Sequence, residues 1–480
     1  MSDEKVVSNP NTTNSKFVVK PPEPKKPVPV QQSRQELGNL QKLRKTINDT
    51  TKTNTTQRVG AYGKTNRIST GILEVDIIAG VNADGTAGIP VGSPTILVGI
   101  ESSGKTTMSL RIAGNGQKLC SHCYRPAKNL QEVEAVDENG EKILSDEGEP
   151  QWVLTGECDC YAKGIYKPRL KRDATKAEIA QYEASLEALQ QNSYRPFQVV
   201  FIDAEDSFTP RWASRYMYPR CVEIVKPGSA EEAIDIYVQY VSSGLVDMII
   251  FDSLAEAAPE TEVVESAEKS QQGLQARLLN KFARRATATA LMSGVEGRPV
   301  TQIWIQQWRE KLGIVYGDNR VMPGGKGQKY AAAVIIDLSP SAFEEVPDPR
   351  YEGTVSKDDC PTVKAFCTIT ARCMKNKTAE PHRTARYQLR LSDYGEWKAG
   401  DVNNMGGLLK MLASPKIGLV AKESQTKWTV KQGTQVHTFQ RKGDLESYII
   451  DNRVIFEQEL LRALAQMKMD PKGKASESQE

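Results

Sequence analysis

The chain has 480 residues, 39% of them apolar and 26% charged, and a formal net charge of +3. That length exceeds one small core and predicts two or three domains. No apolar run reaches the roughly 18 residues of a membrane span. The near-neutral balance excludes a protein that is basic throughout, so a nucleic-acid surface has to arise by local clustering.

The opening MSDEKVVSNPNTTNSKF has no apolar leader core, which predicts a cytoplasmic, reducing setting. There the eight cysteines are read as thiols or metal ligands and not as disulfides. Residues 1–31 contain PPEPKKPVPV and cannot bury enough apolar surface to order, so a tail is expected. Within 32–65, QSRQELGNLQKLRKTIND sets Leu37, Leu40 and Leu43 on one side of a short helix. Two readings stay open there: a decorated tail, or a helix that docks on a neighbouring subunit.

Residues 66–400 read as an α/β domain. Strands are predicted over 95–99, 198–203, 247–252, 301–305 and 333–338. Near-continuous apolar runs of this length suit parallel strands covered on both faces. Ser229-x-x-Glu232 predicts a capping box before the apolar stripe Ile234, Val238 and Val241. Residues 118–196 break the rhythm with charge, turn residues and four cysteines, and read as an insertion with a solvent-rich helix over 174–190. Residues 401–469 form a small α+β module, helical over 408–413, strand-like over 426–440 and helical over 454–467. Residues 470–480 are a second tail.

The sharpest motif is Gly99-x-x-x-x-Gly104-Lys105-Thr106, set between a predicted strand and a predicted helix. The glycines let the backbone turn its N–H groups onto phosphate oxygens, Lys105 adds a cation and the Thr106 hydroxyl can hold Mg²⁺. Gly99, Glu101, Ser102, Ser103, Gly104, Lys105, Thr106 and Thr107 are read as nucleotide-binding. Asp252 ends the strand MIIFD and suits the Mg²⁺ shell at the carboxyl edge of a sheet. Glu205, in FIDAED, is placed to polarise an attacking water; a helix cap or a surface ion pair is the structural alternative.

Arg277, Lys281 and Arg284 fall at i, i+4 and i+7 on one helical face, while Leu274, Leu278 and Phe282 share another. Such a stripe is either a solvated face or a phosphate-tracking surface. The next segment, QQWREKLGIVYGDNRVMPGGKGQKY, carries Arg309, Lys311, Arg320, Lys326 and Lys329 spaced by glycines. That composition suits a loop that orders on a polyanion. Trp308 and Tyr316 are candidates to stack on bases, with core packing the competing role.

Cys120-Ser-His-Cys123 and Cys158-Asp-Cys160 suit one tetrahedral Zn²⁺, although the second pair is tighter than CxxC. A redox dithiol and incidental thiols are the alternatives, and His122 is an alternative ligand. Cys221, Cys360, Cys367 and Cys373 read as packing residues.

The order ISTG (68–71), GIESSGKTT, FIDAED, IIFDS, QQW with its glycine-rich loop, and MKNK (374–377) resembles the bacterial RecA strand-exchange recombinases. The likeness covers roughly 66–117 and 197–400. It implies a RecA-like P-loop ATPase core with a mostly parallel central sheet, an N-terminal oligomerisation helix and a small DNA-gathering C-terminal domain. It implies ATP and Mg²⁺ as cofactors. Single-stranded DNA and homologous duplex DNA are the implied partners, bound by a homo-oligomeric helical filament loaded by single-strand-binding or mediator proteins. Residue by residue, it makes Lys105, Glu205, Asp252 and Gln307 catalytic, with Glu205 the general base and Gln307 the γ-phosphate sensor. Lys375 and Lys377 match lysines that reach the ATP of the adjacent subunit, and Trp212 and Tyr394 match positions near the adenine. Residues around 260–270 and 307–327 match the two DNA loops. Arg277, Arg284, Arg309, Lys311, Gly324 and Gly325 match contacts to the single strand, and Tyr330 an aromatic at the subunit interface.

Lys326 stands where the family has a neutral polar residue, which adds a phosphate contact, while Glu310 opposes one. The insertion is foreign to the common bacterial pattern and is the decoration expected of a divergent, phage-encoded member. A helicase-type motor of the same superfamily and an ATP-binding recombination mediator are the rival functions.

Overall fold

The computed structural model describes residues 65–469, apart from 138, 146–147, 167, 169–174, 261–272, 296–298, 311–318, 352–355, 357–358, 394–397 and 404. The expected N-terminal docking helix and both tails lie outside the described residues. So do Lys311, Tyr316 and Tyr394, and most of the first expected DNA loop.

In chain order, helix α1 (Leu73–Ala79) precedes strand β1 (Pro94–Gly99) and helix α2 (Lys105–Gln117). The insertion follows, with strands β2 (Lys128–Glu134) and β3 (Trp152–Glu157) and helix α3 (Lys176–Gln191). The core resumes with β4 (Val199–Asp203), β5 (Val222–Val225), α4 (Ala230–Ser242), β6 (Met248–Asp252), α5 (Leu274–Val295) and β7 (Thr301–Gln307). Helix α6 (Lys326–Ala331) leads to the long strands β8 (Val334–Pro347) and β9 (Thr362–Asn376), then β10 (Thr384–Arg390) and β11 (Val402–Asn403). The last module holds α7 (Met405–Leu412), β12 (Val420–Lys422), β13 (Trp428–Gln432), β14 (Gln435–Phe439), α8 (Lys442–Asp451) and α9 (Arg453–Met469).

One nine-stranded sheet runs in the order β11-β10-β9-β8-β1-β7-β6-β4-β5. From β8 to β5 every pairing is parallel, and β8 to β11 are joined antiparallel. The sheet is therefore mixed and mostly parallel, as an α/β architecture requires. All five strands expected from the apolar runs are present within a residue or two, except that β8 continues well beyond 338.

Alternate residues of each central strand serve opposite faces. Leu97, Phe201, Ile250 and Ile303 pack on one side with Met108 and Ile112 of α2. Ile96, Val98, Ile202, Phe251 and Trp304 pack on the other with Ile234 and Tyr237 of α4 and Phe282 of α5. Both faces are covered, so these strands carry no polar alternation, and each fully buried side chain of this size is worth about 1.5–3 kcal/mol.

Two local expectations are refined. The Ser229 side chain accepts from the Glu232 N–H, but the Glu232 carboxylate accepts from the Gly228 N–H, so only half of the capping box closes. Helix α3 closes a full box at Thr175 and Glu178 and buries none of its residues. The C-terminal module has its own core, in which Leu408, Leu412, Val430, Leu445, Phe456 and Leu460 pack with Leu73 and Ile77 of α1. Among the described residues no helix is long and apolar enough to cross a membrane.

A candidate nucleotide site and its basic flank

The register of the sheet assembles the site. Gly99, the last residue of β1, pairs with Gln307 on one side and Leu338 on the other, and Asp252 pairs with Asp203. The loop from Gly99 to Gly104 then turns into α2. A Cβ on Gly99 would lie 2.3 Å from Ser103 Oγ and 2.5 Å from the Leu338 carbonyl, so no larger residue fits. Gly104 caps the helix at φ 84, the left-handed region that favours glycine. A helix N-terminus thus faces the cavity lined by Glu101, Ser102, Ser103, Gly104, Lys105, Thr106, Thr107, Glu205, Trp212, Gln307, Leu389, Arg390, Leu391 and Gly400.

Lys105 Nζ donates to the Ile100 carbonyl at 2.7 Å. Burial pulls its ammonium below the usual lysine range, and the carboxylates of Asp252, Glu205 and Glu101 oppose that pull. Thr106 Oγ1 donates to Asp252 Oδ2 at 2.6 Å, and Ser207 Oγ donates to the same oxygen at 3.2 Å. Burial pushes the Asp252 carboxyl up to about 7; the Thr106 and Ser207 hydroxyls counteract it, while the Glu205 and Asp203 charges add to it. Asp252 Oδ1 is buried without a hydrogen-bond partner. An orphaned carboxylate oxygen beside a threonine hydroxyl is a hard, oxygen-only donor set, which fits Mg²⁺.

Of the two consecutive acids in FIDAED, only Glu205 faces the cavity. Its Oε1 accepts from Gln307 Nε2 at 3.0 Å and from the Ser253 hydroxyl. Asp206 is exposed and paired with Lys226. Trp212 is half-buried beside Gly400, with the Arg215 guanidinium 4.9 Å over its ring.

Gln307 runs on into the basic segment. Arg309 and Glu310 pair antiparallel with Arg320 and Val321, closing the base of the loop. Arg309 is exposed, donates to the Ala255 carbonyl at 3.1 Å and lies 3.9 Å from Glu256. The Trp308 indole donates to Asp337 at 2.8 Å, and the Arg320 guanidinium covers its ring at 5.2 Å. Trp308 therefore packs as part of the loop's base, the alternative to stacking on bases. Gly324 and Gly325 take φ 80 and 74 in succession. The chain then presses on α5, where Asn280 Oδ1 accepts from the Gly327 N–H at 3.1 Å. Arg277, Lys281 and Arg284 are all exposed on α5, and Lys326 is exposed at the start of α6. On the inner side of α5, Leu279 joins Phe282 in the core while Leu278 stays half-buried.

A family model described as the RecA N-terminal domain matches residues 180–395. Protein RecA of Frankia casuarinae is 32% identical over 253 residues, covering 52% of this chain and 64% of that protein. Protein RecA of Bifidobacterium breve is 25% identical over 393 residues, covering 82% of this chain and 71% of that protein. Over these stretches the chain is similar to the RecA family. It spans just under two thirds of the length of the Frankia relative. The model match begins at residue 180, inside the insertion, and so does not include the phosphate loop.

Two residues that the family resemblance links to nucleotide do not line the cavity. Lys375, near the end of β9, and Lys377, the residue after it ends, point their ammonium groups at the C-terminus of α6. Lys375 donates to the Lys329 carbonyl and, at 3.2 Å, to that of Tyr330; Lys377 donates to the Tyr330 carbonyl at 3.0 Å. Tyr330 itself is 72% exposed.

Two residues at or beside the cavity were not foreseen. Arg390 is 1% exposed, donates from Nε to the Ser392 carbonyl at 2.6 Å and lies over the Phe366 ring. Ser207 joins Asp203 to Asp252, its N–H donating to Asp203 Oδ1 at 2.9 Å. The signal for Ser207 was the strand-ending Asp203 four residues earlier. A buried arginine leaves no such trace.

The insertion brings Cys120, Cys123, Cys158 and Cys160 together, their sulfurs all within 4.8 Å of one another. Cys367 and Cys373 are packed in the core, as expected.

Proposed function

We propose that this chain is a RecA-type, DNA-dependent ATPase that assembles as a filament on single-stranded DNA and pairs it with homologous duplex. The observation that carries the reading is the Glu205–Gln307 hydrogen bond. It joins the acid beside the phosphate loop to the strand that feeds the basic, glycine-rich segment.

In this reading the backbone N–H groups at the start of α2, with Lys105, bind the β- and γ-phosphates of ATP. Thr106 and Asp252 would hold Mg²⁺, which when bound would neutralise charge on the phosphates. Glu205 accepts a proton from the attacking water, and Gln307 orients that carboxylate. Trp212 contributes an apolar wall for the adenine. Arg277, Arg284, Arg309, Lys311 and Lys326 hold the phosphate backbone, with Gly324 and Gly325 allowing close approach. Base contacts are then left to complementary pairing between strands. Lys375 and Lys377 complete the ATP site of a neighbouring subunit, so hydrolysis requires the filament.

The test is steady-state ATP hydrolysis by the full chain and by Glu205→Gln, with and without single-stranded DNA. Stimulation by DNA is expected, with a loss of about 10²–10⁴-fold in the variant, which still binds DNA. Turnover indifferent to DNA overturns the reading and favours a mediator role.

A further inference from the structure

We infer that the insertion carries a structural Zn²⁺ site of four thiolates, Cys120, Cys123, Cys158 and Cys160, which clamps the base of the insertion to the end of the phosphate-loop helix. The site goes beyond the ATPase reading and does not depend on it.

The geometry suits one ion. A tetrahedral site with Zn–S bonds of about 2.3 Å has sulfurs about 3.8 Å apart. Cys123 Sγ and Cys158 Sγ lie 3.7 Å apart, and all four sulfurs are within 4.8 Å. That spacing leaves room for a single ion and not for a multi-iron cluster.

The backbone around the sulfurs is built to the same end. The Cys123 and Tyr124 N–H groups donate to the Cys120 carbonyl at 3.2 and 2.8 Å, forming a tight knuckle. Tyr124 completes it at φ 56, a conformation a non-glycine residue adopts only where the surroundings impose it. On the other side, Ser193 fastens the Cys-Asp-Cys turn. Its N–H and hydroxyl donate to the Cys158 carbonyl at 2.8 and 2.9 Å, and its Oγ accepts from the Tyr161 N–H at 3.0 Å.

His122 is otherwise engaged. Its Nδ1 lies 3.0 Å from the Ser193 carbonyl, and its ring stacks on Tyr166 at 3.9 Å. It therefore supports the turn and is not a ligand.

The location sets the role. Cys120 is the third residue after α2 ends, and Ser193 lies six residues before β4 begins. One ion joins the chain's departure from the core to its return. The same region reaches a core segment: Glu132 pairs with Arg220, whose guanidinium lies 3.7 Å from the centre of the Trp152 ring. Gln117, the last residue of α2, donates to the Tyr218 carbonyl and accepts from the Tyr218 N–H.

The test begins with metal analysis of the full chain purified under reducing conditions. About one zinc per chain is expected. After chelation, added Co²⁺ is expected to give the intense visible bands and thiolate charge transfer of a tetrahedral tetrathiolate site. Cys123→Ser and Cys160→Ser lose the stoichiometric zinc, and His122→Ala keeps it. On chelation, hydrogen exchange rises over 119–166, 192–196 and 218–222, and not in β6 or β7. The cobalt and exchange arms use the unaltered sequence, so a variant that fails to fold leaves the test intact. No bound metal, iron in place of zinc, or a Cys123–Cys158 disulfide in the isolated chain overturns the inference. None of these readouts needs ATP or DNA, so failure here is separable from failure of the recombinase reading.

Discussion

The side-chain amide of Gln307 donates to Glu205 Oε1 at 3.0 Å, across 102 residues of sequence. Gln307 is the last residue of its strand, so a shift in the segment beyond it would move the carboxylate proposed to activate water. We expect Gln307→Ala to keep ATP affinity, to lower kcat by about tenfold and to abolish its response to single-stranded DNA. Steady-state kinetics with and without DNA check this. A variant stimulated as strongly as the parent would break the proposed link.

Gly324 and Gly325 offer an internal comparison. A Cβ on Gly324 would meet Gln328 Nε2 at 2.1 Å and Leu279 at 2.6 Å, whereas one on Gly325 meets only Asn280 at 3.4 Å. Both residues have positive φ, so each alanine pays roughly 1–2 kcal/mol of backbone strain. Gly324→Ala adds a collision and should weaken single-stranded DNA binding more than Gly325→Ala, with nucleotide binding unchanged in both. Fluorescence anisotropy on labelled oligonucleotides ranks them.

The cations of α5 are exposed and point one way. If they track phosphates, Arg277→Ala and Arg284→Ala should each reduce the slope of log K against log salt by about 1. A purely solvated face would leave the slope unchanged.

Lys375 and Lys377 cap a helix in their own subunit and are proposed to serve the neighbour's nucleotide. A Lys375→Ala/Lys377→Ala chain and a Lys105→Ala chain should each be inactive alone. Mixed, they create interfaces with an intact phosphate loop on one side and intact lysines on the other, and hydrolysis should reappear. No recovery on mixing, with filaments visible by light scattering, would count against action in trans.

Glu74 lies where α1 meets the C-terminal module, against Gly407, whose added Cβ would sit 1.7 Å from Glu74 Oε1. Burial pushes its carboxyl from 4.5 up to about 7; Arg453 opposes this, and Glu457 and Asp76 add to it. A carboxyl raised on folding binds its proton more tightly in the folded chain. Its contribution to stability is full below pH 4.5 and is lost as pH rises through about 7. Glu74→Gln should therefore flatten the fall in stability between pH 5 and 8, by on the order of 1–2 kcal/mol. Thermal unfolding across that range reads it directly.

The central strands were legible because both of their faces are apolar, which leaves an unbroken run. Strands β9 and β10 were not singled out, since one side of each is open and charged residues such as Lys364, Arg372 and Arg386 interrupt the pattern. The phosphate loop, Asp252 and Glu205 announce themselves through local sequence, strand then turn then polar group. The wall formed by Leu389, Arg390 and Leu391 does not, because it comes from one of those obscured strands. Resemblance supplied Gln307, whose meaning lies in its neighbour in space; nothing in the letters QQW distinguishes the glutamine that reaches Glu205 from Gln306, which donates to Gln328 in the core.

The insertion leaves from the far end of α2 and returns at the start of β4, while nucleotide chemistry belongs to the opposite edge of the same sheet. Thirteen helical residues, about 20 Å of rigid rod, separate the two. The base of the insertion, with its four cysteines, therefore sits about 20 Å from the phosphate loop. It gives this chain a second surface, on the side of the sheet away from the candidate nucleotide cavity.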